Sequence, residues 1–161
     1  MAREAEQPEF RFRPLAQTDA EAVSIWHYPE PYSFYDWVED PDDLEELLDP
    51  ARRRDAYYAV DDAAGDLIGF FAFKSREPGT VEIGLGLHPE RTGHGLGSAF
   101  LEAGLAFARS RFEPARFTLS VATFNERAIT VYERAGFERV RVYVHSTNGG
   151  EWEFAEMRRP A

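Results

Sequence analysis

The sequence predicts a mixed α/β (α+β) fold in which a central twisted sheet of about seven strands carries helices on both faces. Three observations predict it. Seven short segments read as strands, from alternating apolar and polar residues or from aromatic and β-branched content. Four others carry apolar residues at helical spacing or helix-start chemistry. The two kinds interleave in the order β-α-α-β-β-β-α-β-α-β-β, which suits helices packed on a mixed sheet.

Each element follows from its residues. Residues 9–14 alternate Phe10 and Phe12 with Arg11 and Arg13, a strand with one apolar face. Thr18 or Asp19 caps a helix expected to reach about His27. Residues 28–37 are too dense in aromatics and prolines for regular helix. Pro41-Asp42-Asp43 opens a second helix with acids in its first turn, where the helix dipole favours them. Leu44, Leu47 and Leu48 follow, and Pro50 is expected to stop it. Residues 56–60 and 67–73 read as a hairpin around the turn chemistry of 61–66, which includes Gly65. After Pro78-Gly79, residues 80–87 put Val81, Ile83, Leu85 and Leu87 on one face, with Glu82, Gly84, Gly86 and His88 on the other. A glycine-rich stretch at 93–97 leads into a helix striped by Phe100, Leu101, Leu105, Ala108 and Phe112. Residues 116–122 form a strand with Phe117, Leu119 and Val121 on one face. Asn125 caps a helix that Gly136 ends. Residues 137–145 and 151–158 close as a hairpin about Thr147-Asn148-Gly149-Gly150.

Composition narrows the functions. Of 161 residues, 43% are hydrophobic and 14% aromatic, enough for one cored domain, expected over 1–161. No apolar run approaches the ~18 residues of a membrane span. Residues 1–8 lack the apolar stretch of a signal peptide. The expected compartment is therefore the cytoplasm, with no membrane partner. Cysteine is absent, which excludes a disulfide framework, a thiolate zinc site and a cysteine nucleophile. The net charge of −11 argues against nucleic acid, whose phosphates need basic residues, and toward a cationic small molecule or basic peptide. His88 and His94 have no evident third ligand, so no metal is expected.

Gly93, Gly95 and Gly97 alternate between a strand end and a helix start. Without Cβ atoms, such a backbone can approach a ligand closely, and the N–H groups of the turn and helix N-terminus suit an anion such as a pyrophosphate. A plain tight turn would use the same glycines. A Walker A loop is excluded because Ser98 follows Gly97 with no lysine. The dinucleotide fingerprint is excluded because Pro89 stands where the third glycine after Gly84 and Gly86 should be.

A second segment, from Val121 through Asn125, Ala128 and Tyr132 to Phe137, adds to the first. Together with residues 82–97 it resembles the GNAT superfamily of acyl-CoA-dependent N-acetyltransferases. The superfamily's phosphate motif, Gln/Arg-x-x-Gly-x-Gly/Ala, falls on Thr92, Gly93, His94, Gly95, Leu96 and Gly97. Its helix pattern, Asn-x-x-Ala-x-x-x-Tyr-x-x-x-Gly-Phe, falls on Asn125, Ala128, Tyr132, Gly136 and Phe137. Thr92 departs from the motif's Gln or Arg, and the neighbouring Arg91 is expected to point elsewhere.

The resemblance implies direct acetyl transfer from acetyl-CoA, as cosubstrate, to an amine of a small molecule or peptide N-terminus, through a ternary complex. The pyrophosphate would lie on Gly93 to Ser98, and the pantetheine would run between diverging strands at Ile83–Leu87 and Phe117–Ala122, past Leu85, Leu87, Asn125 and Ala128. A backbone N–H of the strand holding Ile83 would meet the developing oxyanion. Tyr132 would protonate the departing thiolate and Glu82 would serve as base, directly or through water. Tyr132 also fits a packed helix aromatic, Glu82 a solvated strand residue, and Asn125 a simple cap. His27 would be a base only if the aromatic segment covers the cleft. That segment borders the acceptor site in the family, and its aromatics Trp26, Tyr28, Tyr32, Phe34, Tyr35 and Trp37, with Asp36, Glu39 and Asp40, would suit a cationic acceptor by cation–π and charge attraction, or form a hydrophobic cover or homodimer contact. The alternative reading is a non-catalytic acyl-CoA-binding sensor on the same fold.

Overall fold

The computed structural model describes residues 9–161, so the expectations for residues 1–8 lie outside the described residues. Among the described residues, seven strands form one sheet in the order β1-β2-β3-β4-β5-β7-β6. They are β1 (Arg11–Pro14), β2 (Tyr57–Asp61), β3 (Leu67–Glu77), β4 (Thr80–Leu87), β5 (Arg116–Ala122), β6 (Glu138–Thr147) and β7 (Gly150–Pro160). The helices are α1 (Gln17–Ser24), α2 (Pro41–Leu48), α3 (Pro50–Arg53), α4 (Gly97–Phe112) and α5 (Glu126–Arg134). Among these residues, β4 and β5 are the one parallel pair, joined through α4.

The expected order holds, with local differences that have physical causes. Helix α1 stops at Ser24, short of His27, and its N-cap is Ala16. Asp19 caps it by reaching back, accepting the Ala16 N–H at 2.8 Å while pairing with Arg13. Pro50 ends one helix and begins another: with Asp49 as N-cap it occupies the first turn of α3, where its missing N–H costs nothing. Residues 28–37 are irregular, as their composition predicts, apart from 3-10 turns at Tyr32–Tyr35 and Trp37–Glu39. A further 3-10 turn, Pro89–Arg91, separates β4 from the glycines.

Two cores flank the sheet. On one face, α4 and α5 cover Phe71, Phe117, Leu119 and Met157, and Phe100, Leu101 and Leu105 are fully buried. Phe112, expected in that stripe, lies at the helix end and is 37% exposed, with one side against Tyr58 and Phe73. On the other face, Ala20, Val23, Trp26 and Leu47 pack on Tyr57, Ala59, Phe70 and Ala72. Among the described residues, no helix is long and apolar enough to cross a membrane.

Gly104 is the tightest point of this packing. A Cβ there would lie 2.2 Å from Cζ of Phe71, which is fully buried. Gly104→Ala should therefore destabilise the protein. Overpacking costs about 1–3 kcal/mol, more than the ~1 kcal/mol alanine gains in a helix. A melting temperature a few degrees lower is expected, and an increase would contradict this packing.

Candidate active site

The site is built where the sheet splits. β4 and β5 pair at three positions, Thr80↔Arg116, Val81↔Phe117 and Glu82↔Thr118. Beyond Glu82, β4 continues to Leu87 on β3 alone, and β5 continues to Ala122 on β7 alone. Backbone direction alternates along an antiparallel strand. The His88 N–H donates to Ile68 O at 2.7 Å, so Gly84 and Gly86 bond β3, while Ile83, Leu85 and Leu87 turn their N–H and C=O groups into the gap. Opposite them, the Thr123 N–H donates to Glu153 O at 3.0 Å, so Ser120 and Ala122 also turn inward. A cavity of about 610 Å³ fills the opening, and Glu82, Leu85, Leu87, Thr92, Asn125 and Tyr132 all line it.

The glycine turn adjoins this cavity. Gly93 and Gly95 have φ of +75° and +74°, and a Cβ at either would meet nothing within 4 Å. The first turn of α4 has no side-chain cap, and its first backbone bond is Phe100 N–H to Leu96 O at 2.8 Å. The N–H groups of Gly97, Ser98 and Ala99 therefore lack helical partners. Open space before free N–H groups and a helix dipole fits an anion such as a pyrophosphate. The side chains contribute little. Thr92 Oγ1 donates to Pro89 O at 2.8 Å, and Arg91 donates to Asp62 at 3.1 Å, turned elsewhere as expected. His94 is exposed, and Ser98 borders a separate groove with Phe10 and Glu102. His88 accepts from Glu90 N–H at 3.1 Å and packs on Trp26. Among the described residues, no cluster of three or more His, Asp or Glu could hold a metal.

Asn125 is buried and committed. Its Oδ1 caps α5 by accepting the Ala128 N–H at 3.1 Å, and its Nδ2 donates to the Tyr35 hydroxyl at 3.2 Å. One N–H of its amide is left for a ligand. Ala128 is half-buried beside it. Tyr132, half-buried, sets its ring 6.2 Å from Phe137. Burial, with Tyr35 nearby, pushes its phenol well above the usual tyrosine value, so it stays protonated at neutral pH. Glu82 sits at the fork on the face opposite α4 and α5, and Arg76 of β3 grips both its oxygens at 3.0 Å.

The aromatic segment crosses the fork. Tyr28 donates from its hydroxyl to Leu87 O on the β4 edge at 2.7 Å. Phe34 packs on Trp152 and Phe154 of β7, and Tyr35 reaches Asn125. Two expectations about acceptor contacts change here. Asp36 is buried and engaged by His27 Nδ1 at 2.5 Å and by the Tyr28 N–H at 2.9 Å. Tyr32 already carries the Arg127 guanidinium 4.1 Å from its ring centroid. Neither is free for an ammonium. Tyr28 and Tyr35 belong to the aromatic segment expected to border the acceptor site, but their bonds to Leu87 O and Asn125 carry no sequence signal, and Arg76 was not expected at the site at all.

A family model described as Acetyltransferase (GNAT) domain matches residues 9–138. The chain belongs to the GNAT acetyltransferase family. The mycothiol acetyltransferase of Salinispora tropica is 42% identical over 89 residues, covering 52% of this chain and 29% of that protein. The mycothiol acetyltransferase of Acidimicrobium ferrooxidans is 33% identical over 153 residues, covering 84% of this chain and 45% of that protein. The chain thus spans less than half the length of these relatives. Spermidine N-acetyltransferase from Vibrio cholerae, solved in complex with CoA and spermine, superposes with a TM-score of 0.76 over 94% of this chain and 95% of that one. At 24% identity, that likeness is one of fold.

Proposed function

We propose that the chain is an N-acetyltransferase that binds acetyl-CoA at the fork and passes the acetyl group directly to an amine. The observation that carries this reading is the split after Glu82. It exposes the backbone of Ile83, Leu85 and Leu87 beside the open glycine turn, and brings Glu82 and Tyr132 to one cavity. The pyrophosphate would rest on residues 93–98, and the pantetheine would run along the open β4 edge toward Asn125. The thioester supplies an activated acyl carbon. Around it, an N–H of the β4 edge donates to the carbonyl oxygen, and Tyr132 gives its proton to the departing sulfur. Glu82 receives the acceptor's proton through water, since Arg76 holds both its oxygens.

The acceptor we infer is cationic. Asp40 and Asp43 line the cavity, and desolvation together with the neighbouring Asp40 carboxylate pushes Asp43 up to about 6. Such a pair favours an added positive charge. Rates should fall as salt rises. Asp43→Asn should raise the amine's KM more than it lowers kcat. In the native protein that KM should fall as pH rises through about 6, because Asp43 then ionises. A best acceptor that is neutral or anionic would overturn this part.

The activity itself is tested by incubating the protein and acetyl-CoA with a panel of amines and measuring free thiol. Amine-dependent release is expected. Binding of acetyl-CoA without release across a broad panel would favour a sensor instead.

A further inference from the structure

We propose that Arg127 is the side chain that meets the cofactor's pyrophosphate, in the role that Thr92 leaves open. This rests on the reading of residues 93–98 as the phosphate cradle. It goes further by assigning a charged partner at a position that the helix pattern leaves unspecified.

The need for such a group is electrostatic. A chain of net charge −11 repels a pyrophosphate at long range, so the cradle needs local positive charge. Its neighbours supply none: Thr92 is neutral and bonded to Pro89 O, and Arg91 is held by Asp62. Three cations line the cavity that Thr92 also lines, Lys74, Arg76 and Arg127. Lys74 is paired with Glu46 at 2.9 Å and Arg76 with Glu82 at 3.0 Å. Among the described residues, Arg127 has no carboxylate partner.

The helix packing carries Arg127 toward the cradle. Helix α4 joins the parallel strands β4 and β5. Helix α5 joins β5 to β6, which is parallel to β5 because both pair antiparallel with β7. The two helices therefore start at the same end of the sheet. A Cβ on Gly97, the first residue of α4, would lie 3.7 Å from Val131 Cγ2. Arg127 stands four residues before Val131, on the same face and one turn, about 5.4 Å, nearer the helix start. Side chains tilt toward a helix N-terminus. Arg127 thus extends past the level of Gly97, into the region in front of α4 where the cradle opens.

Tyr32 of the segment crossing the fork holds the guanidinium, 4.1 Å from its ring centroid. Attraction to a ring face needs none of the five N–H donors. The fork-shaped guanidinium suits two phosphate oxygens at once.

The test compares wild type with Arg127→Gln on three donors: acetyl-CoA, acetyl-dephospho-CoA, which keeps the pyrophosphate and lacks only the 3′-phosphate, and S-acetyl-pantetheine, which has no phosphate. Arg127 is exposed, so the unfolding temperature without ligand should stay close to wild type. By calorimetry, Arg127→Gln should raise the Kd of acetyl-CoA and of acetyl-dephospho-CoA by the same factor, roughly tenfold to a hundredfold, the range for hydrogen bonds to a charged group. With S-acetyl-pantetheine, kcat/KM in the thiol-release assay should be unchanged. The Kd of acetyl-CoA should also rise less steeply with salt in the variant. A loss with acetyl-CoA that vanishes with acetyl-dephospho-CoA would place Arg127 on the 3′-phosphate and overturn the proposal. An equal loss with S-acetyl-pantetheine would show that Arg127 only packs the segment crossing the fork, and would also overturn it. Wild-type affinity in Arg127→Gln, beside a Gly95→Asp protein that no longer binds acetyl-CoA, would overturn the proposal and leave the cradle standing. Wild-type affinity in both variants would show that the cradle itself is misplaced.

Discussion

Tyr132→Phe is expected to lower kcat about 10²-fold, near the lower end for positioned acid catalysis, because a thiolate is already a fair leaving group. The substitution keeps the ring against Phe137 and removes only the hydroxyl. Acetyl-CoA affinity should change little. The pH profile carries a second signature. An acid catalyst works in its protonated form, so activity is lost as pH rises through its pKa. Burial holds the Tyr132 phenol above its ordinary value of about 10. Wild-type kcat should therefore hold to about pH 10 and fall only beyond it, and Tyr132→Phe should lack that fall. A variant with wild-type kcat across the range would show that Tyr132 serves only to pack α5.

Gly95→Asp should abolish the stabilisation of the protein by acetyl-CoA. At a ligand concentration of 100 times Kd, binding adds about 2.7 kcal/mol, or roughly 5–10 °C in Tm for a chain of this length. An aspartate at Gly95 would put a side chain and a negative charge into the open space before α4. Its φ of +74° is strained for most residues, but aspartate tolerates it better than most, so the variant should stay folded. The check is a melting curve with and without acetyl-CoA for both proteins. An unchanged shift in Gly95→Asp would mean the pyrophosphate lies elsewhere.

The parts of this fold legible in the sequence are those set by local chemistry. Val81, Ile83, Leu85 and Leu87 alternate through β4, whose bounds match the expected 80–87. Asn125 caps α5 by hydrogen bond, and Gly136, at φ +93°, lies just beyond its end. What local chemistry does not encode is the pairing. Residues 80–87 and 116–122 do not themselves say that the two strands part after Glu82, because that depends on β3 and β7 holding the outer edges; the divergence was expected from the family resemblance alone. The same limit explains the misread acceptor contacts. Asp36 appeared available beside its aromatics, yet the fold buries it under His27 and Tyr28. Arg76 lies six residues from Glu82 across the β3–β4 turn, and only the hairpin register makes them partners. Tyr35 and Asn125 are separated by 90 residues, so their contact had no signal in either motif.

The central claim is that acetyl passes directly from thioester to amine inside the β4–β5 fork. It is tested most directly by intact-mass analysis of the protein after acetyl-CoA alone, followed by counting thiol released and amine acetylated once the amine is added. The account predicts an unmodified protein in the first step and one thiol per acetylated amine in the second. A protein that gains an acetyl group without amine, and then delivers it to the amine after acetyl-CoA is removed, would contradict it.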